Sequence, residues 1–192
     1  MTAQSSRLTS VRTTLLATFV ALATAPFAFA EQTKAVANGE TANLWAYDGS
    51  CAWTSVSISR NTTTAGTETY IEYYVYDNCV GDYLTYGNGR IANADFKVSH
   101  KTAKVRTDLS YDPNFYFYGA SGRVDFTWTI NPDVSDRYDG TYESRRPDYR
   151  ARQKGTWESN AAAVSGTIVG KSIQNAEGGV GSSKSVSRET FR

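Results

Sequence analysis

Histidine is almost missing from this sequence: His100 stands alone. A Ser-His-Asp triad would have to use it. It lies in His100-Lys101-Thr102, between two strand-like stretches, where a turn or packing residue is expected. Cysteine is scarce too, with only Cys51 and Cys79. Two thiolates and one imidazole do not close a tetrahedral zinc site without carboxylate help. Gly-x-Ser-x-Gly, Walker-type and His-Glu-x-x-His patterns are absent. Gly87-x-Gly89 leads into no helix and reads as a turn. Metal: none and cofactor: none are therefore the expectations.

A charge excess of one sign is also lacking. Twenty Lys and Arg against nineteen Asp and Glu give a formal charge of +1, which offers no global attraction for nucleic acid. No amphipathic helical period of useful length follows residue 30. No segment reaches the ~20 apolar residues of a membrane-spanning helix.

What is present begins with residues 1–30. Arg7 and Arg12 precede an apolar, Ala-rich run that ends in Ala28-Phe29-Ala30, the small-x-small pattern of a signal peptidase site. Cleavage between Ala30 and Glu31 is expected, with a secreted or periplasmic product. The run is too short for a stable span, and Pro26 interrupts it. Export places Cys51 and Cys79 in an oxidising compartment, where two thiols have a single pairing.

The mature composition is that of β structure. Thirteen Tyr, eight Phe and four Trp occur among many Thr and Val. Strands are expected near 43–48, 51–60, 69–78, 82–87, 90–99, 103–109, 114–118, 122–130, 138–145, 149–158 and 162–171. Alternation is cleanest in 122–130, where Val124, Phe126, Trp128 and Ile130 share one face. Asn88-Gly89 and Asp139-Gly140 suit tight hairpin turns, and Arg146-Pro147-Asp148-Tyr149 suits a turn with proline second. The fold class expected is an all-β antiparallel meander, forming a β-sandwich or a small closed barrel, with one disulfide. Domain organisation reads as a signal peptide over 1–30, a lead-in over 31–42, the β-domain over 43–171, and a flexible Gly/Ser-rich tail over 172–192.

The cysteines suggest a register. If 51–60 and 69–79 pair with Cys51 opposite Cys79, Val56 faces Tyr74, Ile58 faces Glu72 and Thr54 faces Tyr76. The other face then gathers Trp53 opposite Asp77, with Ser55, Ser57, Val75 and Tyr73. A slip of one residue would exchange the faces.

Trp53, Tyr73 and Asp77 are accordingly the candidate binding residues: flat rings stack on sugars while polar neighbours supply hydrogen bonds. A carbohydrate-active hydrolase or lyase needs two carboxyl groups across one cleft. Glu72 among Tyr70, Tyr73, Tyr74 and Tyr76, and Asp125 beside Phe126 and Trp128, are the acids set among aromatics. Arg137, Arg145, Arg146, Arg150, Arg152 and Lys154 form a basic stretch whose alternation reads first as a solvated strand face. Asn61-Thr62-Thr63 is a glycosylation sequon in a eukaryotic secretory route.

The first functional expectation is an exported binding or adhesive β-domain, recognising a glycan or a surface protein, with no nucleic acid and no membrane span. The alternatives are the carbohydrate-active enzyme and a small outer-membrane β-barrel. No residue pattern sets an oligomeric state.

Overall fold

The computed structural model describes residues 32–108, 115–119 and 122–191. The expected signal segment, its cleavage point at Ala30 and Glu31, and Leu109 lie outside the described residues. Ten strands follow in order: β1 (Gln32–Tyr47), β2 (Ala52–Thr63), β3 (Gly66–Asp77), β4 (Asp82–Ile91), β5 (Phe96–Val98), β6 (Thr102–Asp108), β7 (Phe115–Gly119), β8 (Arg123–Arg146), β9 (Tyr149–Ile168) and β10 (Lys171–Phe191). A short 3-10 turn at Asn93–Asp95 joins β4 to β5. The strands form one antiparallel sheet in the order β5-β6-β8-β9-β10-β1-β2-β3-β4-β7. Among the described residues no pairing joins β5 to β7, so the sheet is open. Among the described residues no helix is long and apolar enough to cross a membrane.

One face of this sheet is the core. Leu44, Val56, Ile58, Ile71, Tyr73, Phe96, Val105, Val124, Phe126, Trp128, Val164 and Ile168 are buried on it, and the alternation of 124, 126 and 128 is as the sequence implies. Two contacts show how far the sheet curls. Trp128 Nε1 on β8 donates to the Asn43 carbonyl on β1 at 2.7 Å, across β9 and β10. Arg60 on β2 pairs with Glu40 and donates to the Phe96 carbonyl of β5 at 2.6 Å. Arg60, half-buried at the core face, thus ties β2 to the far end of the sheet.

Four expectations are corrected. The stretch 172–192 is not a flexible tail: residues through Phe191 form β10, a strand paired on both sides, with β9 and β1. The lead-in 31–42 belongs to β1 from Gln32 onward. Asn88-Gly89 and Asp139-Gly140 are not turns but lie within continuous β4 and β8. The expected strand 90–99 is broken, because β4 ends at Ile91 and the 3-10 turn precedes β5. The turn at Pro147-Asp148 is where it was expected.

Glycines inside strands explain the missed turns. A Cβ on Gly87 would strike the Tyr73 ring, and one on Gly140 would meet the Tyr138 ring. In each case an aromatic side chain covers the bare backbone, so the glycine permits close packing and not reversal of the chain.

Beyond the core the sheet runs on as a blade of β8 from Asn131, β9 to Asn160, β10 from Val180 and β1 to Glu40. A register shift between Ile130 and Ser135 marks its start. Roughly a dozen residues at about 3.3 Å each make it ~40 Å long. Apart from Val180 and Gly181 at its base, no described side chain of the blade is buried, so both faces meet water.

Candidate functional site

The β1–β2, β3–β4 and β9–β10 turns are joined by two links at one end of the sheet. Cys51 and Cys79 form a disulfide with a Cα separation of 5.5 Å across 28 positions. It ties the β1–β2 turn to the β3–β4 turn. Asp48 then ties the first of these to β10: its Oδ2 meets Lys171 Nζ at 3.0 Å. Its Oδ1 accepts the Ser50, Cys51 and Ala52 amides and the Ser50 hydroxyl. The Lys171 ammonium and these donors hold the Asp48 carboxyl well below the usual carboxylate range. Asp48 is thus an ionised anchor for the turn and has no proton to give near neutral pH.

The strands behind these turns present rings outward. Trp45 and Tyr47 alternate with buried Leu44 on β1, and Trp53 alternates with buried Ala52 and Thr54 on β2. Tyr47 lies opposite Trp53, with ring centroids 4.8 Å apart and planes at 33°. Trp45 is 61% exposed, Tyr47 50% and Trp53 41%. Tyr83 packs edge-on against Tyr74 at 5.9 Å and Tyr76 at 5.1 Å. Exposed rings in such number are unusual on a sheet face, because each leaves apolar area in water.

Two grooves meet at Trp45 and Trp53. One, of about 910 Å³, extends over Tyr47, Asp48, Lys171 and Glu177. The other, of about 700 Å³, extends over Tyr74, Tyr76 and Tyr83. Apolar ring faces and charged or hydrogen-bonding groups therefore line two adjoining grooves, the combination expected of a polar ligand with flat apolar faces.

The candidate trio from sequence is only partly assembled. Trp53 is in the groove. Tyr73 is not, since it is fully buried, where burial pushes its hydroxyl pKa up and a hydrogen bond with Thr85 partly offsets this. Asp77 caps the next turn, with Oδ1 accepting the Cys79 and Val80 amides. The cause is a one-residue slip in register. The structure pairs Trp53 with Tyr76, Val56 with Tyr73 and Ile58 with Ile71. β2 keeps the expected core face, but β3 is turned over: Tyr73 and Val75 point inward while Glu72, Tyr74 and Tyr76 point outward. Trp45, Tyr47 and Tyr83 were missed. Alternation with Leu44 in Asn43-Leu44-Trp45-Ala46-Tyr47 was the available signal for the first two.

Glu72 and Asp125 do not converge. They lie on β3 and β8 with four strands between them in the sheet, and Asp125 pairs with Arg106 at 3.4 Å. His100 is exposed at the β5–β6 turn. Cys51, Asp77 and Cys79 are the one close group of metal-ligand types among the described residues, but both sulfurs are spent in the disulfide.

Removing that disulfide tests the frame of the groove. By the chain-entropy relation a loop of this size contributes about 3–4 kcal/mol. The C51S/C79S variant is expected to lose about that much in urea unfolding.

Comparison with known protein families, curated proteins and solved structures gives no match to this chain.

Proposed function

We propose that this chain is an exported binding protein whose groove at Trp45 and Trp53 takes a carbohydrate. The carrying observation is the outward cluster of Trp45, Tyr47 and Trp53 at the junction of two grooves. Indole and phenol faces stack on the C–H faces of sugar rings, and Asn43, Lys171 and Glu177 supply donors and acceptors for hydroxyls along the same floor. The disulfide and the Asp48–Lys171 pair hold the surrounding turns, which lowers the ordering cost of binding. We read the scaffold as an unclosed barrel and not a sandwich, since one continuous sheet supplies all of the described buried side chains. Export through residues 1–30 suits both the disulfide and a ligand met outside the cytoplasm.

A glycan array tests the reading. Selective binding of a saccharide is expected, with affinity falling about 10–100-fold in W45A/W53A, as for two central aromatic anchors. The thermal melt should stay within a few degrees, because both rings are exposed. Silence across the array, or binding that ignores the double variant, would overturn the assignment.

A further inference from the structure

We propose that the blade carries a second, separate binding site, on its other face, for an anionic polysaccharide. The register of β8, β9, β10 and β1 divides the blade's side chains into two faces. On the face continuous with the core lie Lys34, Arg137, Arg145, Arg150, Arg152, Lys154, Lys184 and Arg188, against Glu40, Asp139, Glu143 and Glu158. The opposite face carries Tyr138, Tyr142, Tyr149, Trp157 and Phe191 with Asp136, Arg146, Glu189 and small residues of β10 and β1. Solubility alone would ask for charge on both faces, since both are in water. Here eight of the nine blade cations, from distant parts of the sequence, collect on one, and only Arg146 lies on the other, where Asp136 and Glu189 outnumber it.

The arrangement also works against stability. Arg145 lies directly opposite Arg150, Arg188 opposite Arg152, and Lys34 opposite Arg188. Like charges in these positions repel across about 5 Å. Glu143 answers part of this, pairing with Arg145 and Arg152 at 3.1 Å each. Glu40 is taken by Arg60. Arg150, Arg188, Lys34, Lys154 and Lys184 make no ion pair with the described residues. Local rules broken without a structural return mark a surface kept for a ligand.

Arg145, Arg150, Arg152 and Arg188 line one shallow pocket of about 180 Å³ with Glu143 and Thr190. Neighbouring cations at sheet spacings of about 5–7 Å lie within one Debye length of each other, so their fields add. Guanidinium groups also form paired hydrogen bonds with carboxylate, sulfate or phosphate. No aromatic ring lies on the basic face, so it offers no stacking platform for bases. It carries only Val36 and Val186 as apolar blade residues beyond Val180 and Ala42 at the base, too little to enter a bilayer. A charged polysaccharide fits what is left.

The test uses immobilised heparin as a sulfated polysaccharide, with a DNA duplex and vesicles of anionic phospholipid as comparators. The full chain is expected to be retained at about 0.15 M salt and released as salt rises. The triple variant R150S/R152S/R188S should bind at least tenfold more weakly and melt no lower than the parent, since it removes repulsion. K97S/K101S/K104S makes the same net charge change off the blade and should keep full retention. Failure of the parent to be retained, equal weakening in the off-blade variant, or tighter binding to duplex or vesicles would each overturn the proposal. The W45A/W53A variant, altered on the aromatic groove alone, should be retained as well as the parent.

Discussion

Ending the chain after Gly170 is expected to abolish the cooperative fold. Residues 171–191 look dispensable by composition, being rich in Gly and Ser, yet they form the strand that joins the two halves of the sheet. β10 pairs with β9 from Lys171 to Phe191 and with β1 from Glu177 to Thr190. Without it, β1 to β4 lose their hydrogen-bonded link to β8 and β9, and a row of backbone donors and acceptors on each side is left unpaired. Ile173 and Val180 leave the core with it. Net stabilities of domains are only about 5–15 kcal/mol, and the loss of a central strand exceeds that. The expected readout is a chain with no sigmoidal melt and no sheet signal in circular dichroism. Ending the chain after Ser187, which trims only the blade tip, should leave both intact. A normal melt after truncation at Gly170 would return this segment to the status of a tail.

Trp128→Ala is expected to be the most damaging single substitution in the core, at about 3–5 kcal/mol. Trp128 is fully buried and is the largest such side chain. It packs against Phe126 at 5.9 Å between ring centroids and lies close to Gly178 of β10. Its indole N–H also satisfies the Asn43 carbonyl at 2.7 Å. Alanine removes both the ring and the donor, leaving a cavity and a buried polar group with a lost partner. Trp128→Phe keeps much of the volume and should cost less, about 1–2 kcal/mol. Urea unfolding of both variants beside the parent, with unchanged slope, gives the comparison. Equal costs for the two would mean that the hydrogen bond, not the packing, holds β8 to β1.

Legibility followed the side chains. Where large apolar and charged residues alternate, as in Val124-Asp125-Phe126-Thr127-Trp128, the strand and its buried face were readable. Where small residues prevail, the strand was invisible, because its partners supply the bulk. Gly178 has no room for a Cβ beside the Asn43 carbonyl, Val164 and Trp128. Gly181 sits against Thr41 and the Glu158 carbonyl, close to the Trp157 indole. A sequence reading sees each glycine alone and assigns flexibility; the sheet sees it as the complement of a neighbouring ring.

The site was half legible for a related reason. The disulfide pairing of Cys51 with Cys79 followed from counting, and of the residues named from sequence Trp53 lies on the grooves. The assumption that the two cysteines face each other across the ladder was wrong by one residue. They lie just beyond the paired strands, in turns, where the bridge spans 5.5 Å between Cα atoms without fixing β2 against β3. Since side chains alternate with period two, that slip turned β3 over and moved Tyr73 from the surface to the core.

The central claim is that the outward rings Trp45 and Trp53 form a saccharide site. The most direct measurement follows the four indole N–H signals by nuclear magnetic resonance during titration with the saccharide selected on the array. The Trp45 and Trp53 signals should shift together and saturate, while Trp128, buried and bonded to Asn43, and Trp157, out on the blade, stay in place. Saturating binding that shifts Trp157 and leaves Trp45 and Trp53 unmoved would contradict the account.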